Sequence, residues 1–201
     1  GFYGRPWTHA QRLALVQRLG QLGLNTYLYA PKDDLRHRAR WRELYPAAEA
    51  SLLGELIGAC VAAGVQFVYA LAPGLDPDYG SPAGRAALER KVAQLHALGA
   101  RDFAVLFDDI IPSPASGQLG ATEHDAAPQV AFAHQLATWQ QSQAPDGRLL
   151  FCPTPYCERM SGPVAASRYL AHLGATRPAD DPLLVELAAV TANARALANI
   201  L

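Results

Sequence analysis

The stretch FAVLFDDI, residues 103–110, holds the features that decide the fold. Five consecutive apolar residues are followed directly by two acids, Asp108 and Asp109. A short apolar run this continuous is typical of a parallel strand that is buried on both faces. Two adjacent carboxylates at the end of such a strand each make the other harder to ionise. Their adjacency is therefore unfavourable by itself, and we ask which chemistry would need it.

Three further runs have the same strand-like character. They lie at residues 25–30, 65–71 and 148–152. Apolar positions with helical spacing fill the intervals, and the pairs Thr8 with Gln11 and Ser81 with Pro82 are typical of helix starts. This alternation of strands and helices predicts a parallel α/β sheet with right-handed crossovers.

Two folds share this element order, a doubly wound sheet and a β/α barrel. The composition of the loops after the strands distinguishes between them. Polar residues and prolines gather there, as PKDD (31–34), APGLD (72–76) and PTPYC (153–157). A β/α barrel builds its active site from these loops. No glycine-rich phosphate loop follows any predicted strand, which counts against a nucleotide-binding doubly wound sheet. The sequence therefore predicts an α/β protein of the β/α, TIM-like barrel type.

The number of predicted strands indicates a partial barrel. Eight β/α units need about 250 residues, and the chain has 201. With GFYG (1–4) taken as the end of a first strand, about five of the eight strands are visible, and a C-terminal helix begins near Asp181. We therefore predict a barrel region over residues 1–160 and a loop and helical tail over 161–201. Such a chain is a truncated fragment, an excised domain or a partial barrel.

Composition narrows the classes of partner. The chain is 50% hydrophobic and 17% charged, with a formal net charge of −1, which is ordinary for a globular domain. No basic tract favours nucleic acid, and no apolar run of about 18 residues favours a membrane span. Three cysteines, Cys60, Cys152 and Cys157, are too few for a disulfide framework and favour a reducing compartment such as the cytoplasm. Oligomeric state is left open by these features.

The acids that follow the strands admit three interpretations. Asp108 and Asp109 can be a helix N-cap and a solvated acid. Asp33 and Asp34 can be structural in the same way, bonding the backbone or Arg38 and Arg42. The four acids together can instead ligate magnesium or calcium in a metal-dependent hydrolase. The third interpretation is glycoside hydrolysis by a pair of carboxyl groups.

Glycoside chemistry by two neighbouring acids needs a particular mechanism. Conventional pairs flank the scissile bond, ~5–5.5 Å apart in retaining enzymes and ~6.5–9.5 Å apart in inverting ones. Neighbours at one strand end cannot easily approach both faces of a sugar ring. In substrate-assisted hydrolysis, by contrast, the acetamido oxygen of the sugar is the nucleophile. One aspartate then orients the acetamido N–H and stays ionised, and the charge on it raises the pKa of its neighbour, which acts as acid and then as base.

Five segments together resemble glycoside hydrolase family 84, the family of O-GlcNAcases and bacterial β-N-acetylglucosaminidases once called hyaluronidases. They are GFYGRPW (1–7), LNTYLYAPKDD (24–34), FVYALAPG (67–74), FAVLFDDI (103–110) and FCPTPYC (151–157). The resemblance implies a β/α barrel and a retaining exo-β-N-acetylglucosaminidase that works by substrate assistance and needs no cofactor and no metal. Its substrate would be a GlcNAc-bearing glycoprotein or glycan, with O-GlcNAc on protein Ser or Thr as one candidate.

The resemblance also implies roles for individual residues. Asp108 would polarise the acetamido group, and Asp109 would be the general acid and base. Substrate contacts would come from the backbone carbonyl of Gly1 and the side chains of Lys32, Tyr156 and Cys152. Two later segments of the family, Trp-Thr-Gly-Pro and Trp-Asp-Asn, are not found in this sequence. The alternative function is therefore a catalytically silent fragment of the same family that binds glycans or partners.

Overall fold

The computed structural model describes residues 4–108, 123–156 and 162–175. Helices and strands alternate along the described chain, as the sequence predicts. The helices are α1 (His9–Gln21), α2 (Ala47–Ala62), α3 (Pro82–Ala97), α4 (Glu123–Gln143) and α5 (Arg168–Ala175). The strands are β1 (Thr26–Tyr29), β2 (Gln66–Leu71), β3 (Asp102–Leu106) and β4 (Leu149–Cys152).

The four strands form one parallel sheet in the order β1-β2-β3-β4. Tyr29 is opposite Tyr69, Tyr69 is opposite Phe103, and Phe103 is opposite Leu149. Consecutive strands are therefore neighbours, and all their carboxyl ends lie at one edge of the sheet. This order confirms the predicted parallel α/β arrangement.

Local sequence signals explain where the helices begin and end. The Thr8 side chain accepts a hydrogen bond from the backbone of Gln11, and the Gln11 side chain accepts from the backbone of Thr8, which completes a capping box at α1. Ser81 caps α3 by accepting from the backbone of Gly84. Gly23 follows α1 with φ +74°, a left-handed conformation that favours glycine at a helix end.

The main core lies between the sheet and the helices. Alternate strand residues point toward the helices, as the two-residue period of a strand requires. Aromatic side chains dominate this face: Tyr29, Phe67, Tyr69, Phe103, Phe107 and Phe151. Trp41 is 1% exposed and meets the ring of Phe132 edge-on, with ring centroids 5.5 Å apart.

The opposite face of the sheet carries smaller apolar residues. Val68, Ala70 and Ala104 form a second cluster there. Leu28 and Leu150 are 44% and 46% exposed. In a β/α barrel the helices lie outside, so this face corresponds to the barrel interior. The predicted first strand at GFYG falls almost entirely outside the described residues, and so does the predicted C-terminal helix.

Helix α5 extends the ordered α/β unit past residue 160. The sequence predicts that the tail begins with a loop, whereas residues 168–175, which include YLAHLG (169–174), form a helix that packs against α4. Tyr169 and Leu173 are buried in the contact with the core. The domain boundary at residue 160 stays a prediction. Within the described ranges, no helix is both long and apolar enough to cross a membrane.

Candidate active site

Three of the predicted site residues follow the carboxyl ends of strands. Lys32 comes shortly after β1, Asp108 shortly after β3, and Tyr156 shortly after β4. Because the strands are parallel, these residues leave the sheet at the same edge, where β/α barrels hold their active sites. Tyr156 is 38% exposed, and the side chains of Lys32 and Asp108 are partly buried.

Asp108 and Cys152 belong to neighbouring strand ends. The backbone N–H of Phe107 donates to the carbonyl of Cys152 at 2.9 Å, which continues the β3–β4 pairing up to the residue before Asp108. Phe151 faces the helices, so its neighbour Cys152 faces the barrel-interior side of the sheet. The Cys152 side chain is partly buried, and its sulfur lies 3.8 Å from the carbonyl oxygen of Pro153. The register thus brings Asp108 and Cys152 to the same part of the edge.

Two of the predicted site residues lie outside the described residues. These are Asp109, the predicted acid and base, and Gly1, the predicted carbonyl contact. Residues 110–122, between Asp109 and α4, are outside as well. Their roles stay predictions.

A small cavity opens beside Lys32. Its volume is about 150 Å³, and its lining includes Lys32, Trp7, Arg12 and Leu28. Trp7 is 44% exposed, so it presents an aromatic surface close to this lysine. The cavity gives Lys32 a partly enclosed setting at the end of β1.

Asp34 organises the loop that carries Lys32. Its carboxylate accepts hydrogen bonds from the hydroxyl of Tyr29 at 3.0 Å, from the hydroxyl of Tyr45 at 2.5 Å and from the backbone N–H of Arg36 at 2.8 Å. Of the two arginines predicted as alternative partners, Arg42 instead donates to Asp76 at 2.5 Å. Backbone bonding by Asp34, the other half of the prediction, is confirmed.

The tyrosines around Asp34 remain protonated over a wide pH range. Burial raises the pKa of Tyr29, and the charge of Asp34 adds to the effect. The pKa of Tyr45 is raised by burial, then by Tyr69 and Asp34. Burial also raises the pKa of Tyr69, whose hydroxyl lies 2.7 Å from that of Tyr45. All three hydroxyls therefore keep a proton to donate.

Lys91 is a buried cation that was not predicted from the sequence. Its side chain is fully buried, and its Nζ donates to the carbonyls of Glu43 and Arg36, the latter at 3.2 Å. The ammonium lies 4.5 Å from the ring centroid of Tyr45. Burial lowers the pKa of Lys91 to about 8.

A signal for Lys91 was present in the sequence. It lies three residues after Leu88 and four before Leu95, both of which are buried. Residues at these spacings share one face of a helix, so Lys91 belongs to the apolar stripe of α3. Among the described residues, which include Asp33, Asp34 and Asp108 but not Asp109, no three His, Cys, Asp or Glu side chains are placed to hold a metal ion.

The parallel sheet, the surrounding helices and the polar loops at one edge define a protein of the β/α, TIM-like barrel class. Comparison with protein families identifies the particular group. The sequence model of the β-N-acetylglucosaminidase family matches residues 1–181. The chain belongs to this family, glycoside hydrolase family 84, as the resemblance of its motifs implies.

Curated and solved relatives agree with the family match. The chain is 42% identical over 175 residues to the protein O-GlcNAcases of Rattus norvegicus and Mus musculus. This match covers 87% of the chain and 19% of either relative. An aspartate-to-asparagine mutant of the Thermobaculum terrenum O-GlcNAc hydrolase superposes with a TM-score of 0.74 at 31% identity, covering 89% of this chain and 38% of the other. The chain thus spans less than half the length of these relatives.

Proposed function

We propose that the polypeptide carrying this chain is a retaining exo-β-N-acetylglucosaminidase that uses the acetamido group of its substrate as the nucleophile. The observation that carries the proposal is the position of Asp108. It follows β3 directly after the backbone bond from Phe107 to Cys152, at the edge where Lys32 and Tyr156 also emerge. Membership of the β-N-acetylglucosaminidase family supports the same chemistry.

The proposed reaction has two steps. The acetamido oxygen attacks the anomeric carbon while the bond to the leaving oxygen breaks, and Asp109 gives its proton to that oxygen. Asp108, as a carboxylate, accepts a hydrogen bond from the acetamido N–H and stabilises the positive charge that the cyclised ring acquires. Water then attacks the anomeric carbon, and Asp109 takes a proton from this water. The bond between the acetamido oxygen and the anomeric carbon breaks, which opens the ring formed in the first step. Two inversions at one carbon give net retention.

The remaining site residues hold the sugar. Lys32 donates to a sugar hydroxyl from the loop that Asp34 organises, and the carbonyl of Gly1 accepts from another hydroxyl. Tyr156 lines the reaction centre, and Cys152 lies by the acetamido pocket. Relatives at 42% identity bear the name protein O-GlcNAcase, which supports GlcNAc on Ser or Thr of glycoproteins as the substrate class. The barrel region at 1–160 supplies these residues.

The test is hydrolysis of a nitrophenyl β-N-acetylglucosaminide, measured on this chain and on the longest natural reading frame that carries it. The first product seen by proton NMR should be the β-anomer. Replacing acetamido by trifluoroacetamido weakens the internal nucleophile, and we expect the rate to fall steeply. The matched nitrophenyl β-glucoside, which lacks the acetamido group, should not be cleaved. An α-anomer as first product, or equal rates for both amides, would contradict the proposal.

A further inference from the structure

A buried amide joins three elements near Tyr156. Gln129, on α4, is 2% exposed. Its amide nitrogen donates to the hydroxyl of Thr154 at 3.0 Å, and its amide oxygen accepts from the hydroxyl of Tyr169 on α5. Thr154 and Tyr169 are each 4% exposed. Both ends of the amide are therefore used, and the side chain has one favourable orientation.

The hydrogen-bond chain continues from Thr154 to Tyr156 through the backbone. The carbonyl of Thr154 accepts from the N–H of Tyr156 at 3.1 Å. Pro153 and Pro155 flank Thr154, and proline fixes its own φ and restricts the residue before it. The hydrogen bond that holds the Thr154 side chain therefore also restricts the position of Tyr156, because the segment between them is stiff.

We propose that Gln129 is a positioning residue that sets the place of Tyr156 at the carboxyl edge of the sheet. The functional half of this inference rests on the proposed function, which gives Tyr156 a place at the reaction centre. An aliphatic residue at position 129 would fill the same space, but it would leave the Thr154 hydroxyl without this donor. The cost of burying the Gln129 amide is offset here, because its oxygen accepts from α5 while its nitrogen donates to the loop.

The same helix carries a matched control. Gln140 is 1% exposed, and its amide nitrogen donates to the carbonyls of Arg101 at 2.8 Å and Arg148 at 3.1 Å. These two arginines precede β3 and β4, so Gln140 acts at the amino edge of the sheet, away from the candidate site. Gln129 and Gln140 are thus buried glutamines of one helix that differ in the edge they support.

The first measurement needs no activity. Tyrosine with labelled rings is incorporated into this chain, and the NMR signal of Tyr156 is identified by its loss in Tyr156→Phe. We expect Gln129→Leu to shift or broaden this signal, and Gln140→Leu to leave it in place. Thr154→Val, which removes one hydroxyl at nearly constant shape, should reproduce the effect if Gln129→Leu does not fold. An unchanged Tyr156 signal in the folded Gln129 or Thr154 variant overturns the positioning role.

The second measurement is kinetic and uses the longest natural reading frame. Gln129→Leu should lower kcat/KM by about 10- to 100-fold, mainly through kcat, because small misplacements at a reaction centre have large effects. Gln140→Leu should stay within about twofold at a temperature where it is folded. In a Tyr156→Ala background, Gln129→Leu should add less than about a twofold loss of kcat/KM. In the wild-type background, Thr154→Ser keeps the hydroxyl and should retain activity. Independent, additive losses would show that Gln129 does not act through Tyr156.

The two measurements separate the inference from the function on which it rests. A shifted Tyr156 signal in a protein that does not hydrolyse the nitrophenyl substrate supports the positioning of Tyr156 and contradicts the proposed function. Hydrolysis that is insensitive to Gln129→Leu supports the proposed function and overturns the positioning role.

Discussion

The hydroxyl of Tyr45 donates to the carboxylate of Asp34 at 2.5 Å, and this bond ties the segment before α2 to the loop that follows β1. Tyr29 donates to the same carboxylate from the strand itself. The loop that follows β1 carries Lys32 between Tyr29 and Asp34. The geometry of this loop is therefore fixed by a partly buried acid that accepts from several donors, rather than by a turn motif alone.

Asp34→Asn should destabilise the protein and loosen this loop. The two tyrosine hydroxyls share one carboxylate oxygen, and the backbone N–H of Arg36 donates to the other. An amide accepts through one oxygen only, so either the tyrosine pair or this N–H loses its acceptor, at a cost of about 2 kcal/mol in the free energy of unfolding. Denaturant unfolding measures it, with Asp33→Asn as the matched control. Asp33 contacts Arg12 at 3.5 Å from a side chain that is 42% exposed, so its loss should cost less than about 0.5 kcal/mol. Equal costs for the two variants would contradict the assigned role.

Lys91→Met should change how stability depends on pH. The pKa of Lys91 is 10.5 in the absence of burial and about 8 in the folded protein. Between these values the unfolded chain binds the extra proton, so this residue makes stability rise with pH across that window. The free energy of unfolding of the wild type, relative to that of Lys91→Met, should therefore rise between pH 8 and 10.5, by at most about 3 kcal/mol.

The control for Lys91 is the exposed residue before it in α3. Arg90→Met also removes a cation from that helix, but the Arg90 side chain is exposed, and guanidinium groups do not titrate between pH 8 and 10.5. Its curve should run parallel to that of the wild type. A parallel curve for Lys91→Met as well would mean that Lys91 titrates in the folded protein as it does in water.

Local patterns were enough to predict the frame of the fold. Continuous apolar runs located the four described strands, and caps such as Ser81 located helix starts. The polar side chains that support the candidate site were missed, because their partners are distant in sequence. Lys91 and Arg36 are 55 residues apart, and Gln129 and Tyr169 are 40 apart. The periodicity of a single helix or strand gives no information on such distant pairs. The position of Asp108 at the end of a strand, by contrast, follows from the pattern of β3 alone.

Chelation should leave hydrolysis unchanged. The proposed reaction moves protons between Asp109, the leaving oxygen and water, and it needs no Lewis acid. EDTA followed by dialysis should retain full turnover of the nitrophenyl substrate. Loss of turnover that magnesium or zinc restores would favour the metal-dependent hydrolase, in which Asp33, Asp34, Asp108 and Asp109 are the candidate ligands.

The two neighbouring aspartates should be separable by the leaving group. Asp109→Ala removes the proton donor, and general acid assistance is worth about 10²- to 10⁴-fold. The loss should be severe for a Ser or Thr glycoside, whose alkoxide leaves poorly. It should be much milder for a nitrophenolate, which leaves without a proton. Azide should rescue Asp109→Ala, because a small anion can attack in the second step without a general base.

Asp108→Ala should respond differently. Asp108 aligns the internal nucleophile, and that step is required whatever group leaves, so the loss should be large for both substrates. Asp108→Asn should fail too, because it keeps the shape of the side chain but not the charge that stabilises the cyclised acetamide. Azide should have little effect on either Asp108 variant. Steady-state rates on nitrophenyl and alkyl β-N-acetylglucosaminides measure these differences, and equal sensitivity of both alanine variants to the pKa of the leaving group would show that the two roles are assigned wrongly.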